Sequence, residues 1–258
     1  MAFPAPIPSR RKAAAAARGL TLAAGLAALT GSGLGGMAAA KAGGEGVTIT
    51  SYGHSALLVS GGGTTVLLNP FKAVGCAAGL AEPRVNANLI LASSLLRDEG
   101  APSGGGRLLS QPGSYRIGGL QVEGIGLDHD RVGGRRFGQA TVWRWKQGGL
   151  VLAHLGGTAG RLSPSDRVLL GRPDVLIIGV GGGAKVYDGS EAAEVVRELS
   201  PRRVIPVQYT TGKPPAGCDQ GPVEPFLKAM AGTPVQRPGR SLSLPGQLSD
   251  GLVIEVLR

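Results

Sequence analysis

The chain has 258 residues, 42% of them apolar, which is enough for one sizeable core. Aromatics make up only 4% while glycines number 45, so the core is expected to be built of small aliphatic side chains joined by tight turns. The net charge is +10, but the basic residues form no run and are not interleaved with aromatics, which argues against a nucleic-acid surface.

The first forty residues read as a segment separate from the fold. Pro8 to Lys12 is a basic start, Gly19 to Leu29 is a short apolar stretch, and Ala38 to Ala40 offers a small-residue cleavage site. The Ser9-Arg10-Arg11 start resembles a twin-arginine export signal, although alanines stand where such signals carry a bulky apolar residue. An Ala-rich tail or an uncleaved anchor is the other reading. This segment holds Arg10, Arg11, Lys12 and Arg18 and no acid, so the remaining 23 basic and 17 acidic residues leave +6, a moderately basic exterior. Beyond it no apolar run is long and clean enough to span a bilayer.

From Val47 onward the pattern is strand and turn. Strands are expected at 47–52, 56–59 and 64–68, with the glycines at 61–63 turning the last two into a hairpin. Further strands fall at 89–92, 107–109, 114–117, 120–125, 139–146 and 150–154. Ser163 before Pro164 then opens a helix through Leu170. A strand at 174–180 follows, and then a helix capped by Ser190, with Ala192, Ala193, Val196 and Leu199 on one face. A strand at 203–207, a short helix at 222–229 and strands at 242–244 and 252–257 complete the chain. Strands first, then strand–helix alternation, implies an α/β domain of two sheets flanked by helices over 47–258.

Several motifs resemble those of the metallo-β-lactamase superfamily, in particular its compact broad-hydrolase branch. Asn88 to Gly100 (N-L-I-L-A-S-S-L-L-R-D-E-G) is similar to that family's D-L-V-L-x-T-H-x-H-x-D-H-G loop. Tyr52 to Ser55, Leu68 to Phe71, Gln111 to Ile117, Asp128 to Arg136, Gly149 to Gly160, Asp174 to Gly182 and Val204 to Tyr209 resemble further family motifs in the family's order. The resemblance implies the αββα sandwich. It also implies a two-metal site, but its ligand positions are mostly replaced. The first triad becomes Ser94, Leu96 and His129, the second becomes Asp98, Glu99 and Gln208, and the bridging aspartate becomes Gly157. Only Asp98 and His129 keep their type. Zinc takes about four N, S or carboxylate ligands at ~2.0–2.3 Å, and hydrolysis needs it to lower the pKa of a bound water.

What remains supports several readings. Ser94 and His129 stand at positions that share one ion in the family, so they form a candidate nucleophile pair with Asp130 or Asp98 as orienter, weighed against a loop histidine. Asp98, Glu99 and Gln208 offer oxygens to a hard cation, or else form an acidic patch offset by Arg97 or Lys185. His54 is expected to orient strand ends and His154 to pack beneath the site. Gly181 to Gly183 lacks the lysine and hydroxyl of a phosphate loop. By the family fold, Cys76 and Cys218 lie on loops bordering the site mouth and are candidates for a disulfide in an oxidising compartment. The expectation is an exported, metal-free protein of this fold, in the periplasm or an equivalent lumen, that acts by binding, assembly or scaffolding rather than catalysis. It needs no cofactor, its partner is an unidentified protein or small molecule, and it meets a membrane only through an uncleaved N-terminus. The alternatives are a hydrolase that uses zinc or another divalent metal on residual or recruited ligands, and a cytoplasmic location.

Overall fold

The computed structural model describes residues 46–258; residues 1–40, where an export signal is expected, lie outside them. The chain opens with an antiparallel run, β1 (Val47–Ser51), β2 (Leu57–Gly61) and β3 (Thr64–Leu68), followed by the parallel strands β4 (Leu89–Leu91) and β5 (Arg107–Leu109). The meander β6 (Gly113–Ile117), β7 (Leu120–Asp128), β8 (Gln139–Gln147) and β9 (Leu150–Leu155) begins a second sheet. After it the chain alternates through α1 (Pro164–Leu170), β10 (Val175–Gly179), α2 (Gly189–Leu199), β11 (Arg203–Val207) and α3 (Glu224–Ala229). It ends in β12 (Val235–Gly239), β13 (Ser241–Leu244) and β14 (Val253–Leu257). The strands form a six-stranded sheet, β13-β1-β2-β3-β4-β5, and an eight-stranded sheet, β12-β14-β11-β10-β9-β8-β7-β6.

The alternating strands bury one face each between the sheets. Ile49, Leu57, Val59, Val66, Leu68, Leu89 and Leu91 of the first sheet meet Val122, Trp143, Trp145, Leu152, Ile177 and Ile205 of the second. A second core lies on the other face of the larger sheet. There Ala192, Val196 and Leu199 of α2 and Phe226 of α3 pack with Leu176, Ile178 and Val204. β10, and β11 from Val204 onward, are apolar and buried on both faces for this reason.

Two helices, α1 and α2, begin at capping boxes, with one correction to the expected cap. Ser163 caps α1 in a capping box with Asp166, as expected. Asp188, not Ser190, caps α2: its carboxylate accepts the N–H groups of Ser190 and Glu191, and Glu191 closes the box. The two mixed sheets and their helices form the expected α/β sandwich, with the six-stranded sheet turning its other face outward. Its exposed edge carries hydroxyls that pair with one another, Thr48 with Ser243 and Thr50 with Ser241. Ile90 on the same face lies under Gly106 instead.

Candidate functional site

The site lies where strands of both sheets end. Asn69 follows β3, Ser93 follows β4, His129 follows β7, Gly156 and Gly157 follow β9, and Gln208 follows β11. Carboxyl ends of strands are where open α/β sheets place ligands, since the chain is leaving the ladder and its side chains can converge. Two contacts tie the sheets together there: Thr141 N–H donates to the Ser93 carbonyl and the Trp143 indole N–H to that of Ala92. Asn69, fully buried, accepts the Ser93 N–H at 2.8 Å and donates to Ser93 Oγ at 3.0 Å. The Ser93 hydroxyl in turn donates to the Gly156 carbonyl.

At the centre stands Glu99, 1% exposed. Ser94 Oγ donates to its Oε1 at 2.8 Å, and Gln208 Nε2 donates to its Oε2 at 3.2 Å. His129 Nε2 lies 2.8 Å from Oε1, an ion-pair distance, although the ring N–H is not aimed squarely enough for a straight hydrogen bond. Burial alone would raise the Glu99 pKa. His129 outweighs it, with help from Lys185 and Ser94, and holds the carboxyl at about 2. The orientation of Gln208 is fixed by its other end, where Oε1 accepts the Gly157 N–H at 2.7 Å. Its NH₂ therefore faces the centre, so a carboxylate is ringed by donors.

Gly157 makes this possible. A Cβ there would lie 2.3 Å from Glu99 Oε2, and its φ of +71° favours glycine in any case. The Glu99 carboxylate therefore occupies the space into which a side chain at 157 would project. Asp98 turns away, pairing with Lys185 Nζ at 3.2 Å and packing at Gly75, while Leu96 is exposed.

Ser94 and His129 thus meet the same oxygen of Glu99, and neither the hydrogen bonds nor the ion pairs join them to each other. Asp130 is engaged by the N–H groups of Val132, Gly134, Arg136 and Phe137, which makes it the organiser of its own loop. As a metal centre the set fits poorly. Among the described residues no group of three or more His, Cys, Asp or Glu is placed to hold an ion. The Gln208 oxygen is used by Gly157, and its N–H groups present the wrong polarity to a cation. Leu96 offers no donor atom.

The other candidates fall around this centre. His154 is fully buried behind Gly156, with neither ring nitrogen bonded, and burial lowers its pKa to about 4. His54 stacks edge-on against Phe71 with centroids 5.9 Å apart, and its carbonyl accepts the Gln208 N–H. His54, Asn69 and Gln208 all hold positive φ, of 50°, 38° and 51°, a concentration of backbone strain at one site. Cys76 and Cys218 stand at disulfide distance, with Cα atoms 4.7 Å apart, joining the loop after β3 to the loop after β11. The sequence marks Glu99 as a replaced ligand and as one oxygen donor among Asp98, Glu99 and Gln208, not as the centre. Its central role, and that of Asn69, lie in contacts across 109 and 24 residues that no local pattern carries.

A family profile described as "Beta-lactamase superfamily domain" matches residues 48–208, and the chain belongs to that family. A protein of the metallo-β-lactamase superfamily from Thermotoga maritima, described as a candidate Zn-dependent hydrolase, is similar at 25% identity and a TM-score of 0.65; the match covers 82% of this chain and 100% of that one. Igni18, a metallo hydrolase from Ignicoccus hospitalis, has 16% identity and a TM-score of 0.56 over 77% of this chain and 98% of its own. YhfI, a metallo-β-lactamase fold protein from Bacillus subtilis, has 11% identity and a TM-score of 0.54 over 82% and 96%. The last two show likeness of fold alone. Comparison with curated protein sequences finds no match.

Proposed function

We propose that this protein is a metal-free member of its family that acts by binding rather than by hydrolysis. One observation carries the proposal: the Glu99 carboxylate fills the space under Gly157 and is held there by Ser94, His129 and Gln208. In the family pattern the acid at the centre is an aspartate at the position of Gly157. Here an acid stands instead at 99, where the pattern has a histidine. The negative charge is kept, but the groups that hold it are the side chains of His129, Ser94 and Gln208 rather than a metal. Without a Lewis acid to acidify water, the centre offers no hydroxide nucleophile, and Ser94 donates to a carboxylate whose pKa of about 2 makes it a very weak base. The partner is a protein or a small molecule, and the fold serves as a scaffold for its loops.

Export is part of the same proposal. The twin-arginine-like start and the Cys76–Cys218 pair both suit an oxidising compartment, the periplasm or an equivalent lumen.

A second reading, a metal-dependent hydrolase with recruited ligands, draws on family membership and on the 25%-identical relative described as Zn-dependent. Metal analysis of protein expressed with zinc or iron, alongside phosphodiesterase and lactonase assays, separates the two. Sub-stoichiometric metal and no turnover support the binding role, whereas stoichiometric metal with turnover establishes the hydrolase.

A further inference from the structure

Beside the Glu99 centre is a cavity of about 750 Å³ that none of the seven positions aligned with metal ligands lines. Its volume falls within the ~300–1,000 Å³ usual for small-molecule sites. The wall is mainly apolar, with Leu57, Leu80, Val207, Val223 and Val256 among its residues. Lys213, Arg237 and Arg258 also line it, against the single acid Glu224. Cys76 forms part of one side.

His54 gives this cavity a polar point. The residue is held at a φ of 50°, lies against Phe71, and faces the cavity lining. Burial lowers its pKa, and no hydrogen bond contributes to the shift. A neutral imidazole without a protein partner has one donor and one acceptor to offer an occupant. Strained backbone at such a residue is a common mark of a functional position.

We propose that the cavity receives a small amphipathic organic anion. Its hydrocarbon body would lie on Leu57, Leu80, Val223 and Val256, its anionic group would meet Lys213 and Arg237, and the His54 ring would border the occupant. The apolar lining supplies affinity and the cationic side chains supply the preference for an anion. This goes beyond the metal-free reading and involves different residues, so either can fail alone: metal content decides the first and ligand binding the second.

Octanoate, with octan-1-ol as its neutral counterpart, tests the proposal on the full chain. Calorimetry should give one saturable octanoate site, bound about tenfold more tightly than octan-1-ol. The ring resonances of His54 should shift on octanoate addition while those of His129 and His154 stay in place, and with only three histidines in the chain they are readily assigned. Replacing exposed Lys213→Gln and Arg237→Gln together should remove the preference for the anion. Leu80→Asp, a change at a position 39% exposed and so compatible with folding, should weaken octanoate binding further. Absence of saturable binding, an unmoved His54 signal, or an anion preference intact in the double variant would overturn the proposal.

Discussion

At the scale of single residues the site is governed by one buried carboxylate and the groups that tolerate it. A buried charge is costly unless paired, and removing one partner from a buried pair costs about 3–5 kcal/mol. Glu99→Gln should therefore destabilise the fold by roughly 3 kcal/mol in urea unfolding, because the donors that converge on the carboxylate lose their acceptor charge. Gly157→Ala should cost about 1–3 kcal/mol, since it adds a clash with Glu99 to a positive φ. In a Glu99→Ala background the 2.3 Å clash is gone, leaving the backbone strain and a tight 3.1 Å approach to Ser93 Cβ, so the two substitutions should couple. Additive losses would mean that Glu99 does not fill that space.

Two buried groups with large shifts lead the acid sensitivity, and their signs agree with each other and with the lowered pKa of His54. Glu99 has its folded pKa depressed from 4.5 to about 2, so its contribution is complete above pH 4.5 and fades as pH falls toward 2. His154 is depressed from 6.5 to about 4 by burial. Between those values the unfolded chain binds a proton that the folded chain refuses, so stability falls as pH drops from 6.5 to 4. Unfolding free energies measured across this range should decline by roughly 2–3 kcal/mol, and His154→Phe should reduce the slope above pH 4.5. A flat profile in the parent protein would refute a neutral, buried His154.

At the scale of elements, strand ends and their connecting loops determine what the site becomes. The Cys76–Cys218 pair joins two such loops across 142 residues of chain. Closing so long a loop should stabilise the fold by about 2–4 kcal/mol, and reduction, or Cys76→Ser with Cys218→Ser, should lower the melting temperature accordingly. Free thiols in protein purified without reductant would count against the pairing. Most elements were legible because each carries a period or a cap: the alternation of β8 and the apolar spacing of α2 are examples. β12 (V-Q-R-P-G) was not, because it is an exposed edge strand containing Pro238 and has no buried face to impose alternation. The cap of α2 was misplaced by two residues because Ser190 and Asp188 are both good caps, and the reciprocal bond from Glu191 selects Asp188.

At the scale of the whole molecule, the family fold was legible from motifs distributed along the chain, and the profile match over residues 48–208 agrees with it. The chemistry of the centre was less so. Which positions had changed could be read from the loop Asn88 to Gly100, but not that Glu99 would turn inward to the middle while Asp98 turned outward to Lys185. That outcome depends on Gly157, Gln208 and His129 arriving from three other strand ends. The account rests on this centre being complete without a metal. The most direct measurement is zinc stoichiometry by mass spectrometry on protein folded in excess zinc, with thermal unfolding followed in the presence and absence of a chelator. The account predicts well under one zinc per chain and a melting temperature that chelation leaves unchanged. One or two tightly bound zinc ions per chain, with a melting temperature that falls on chelation, would contradict it.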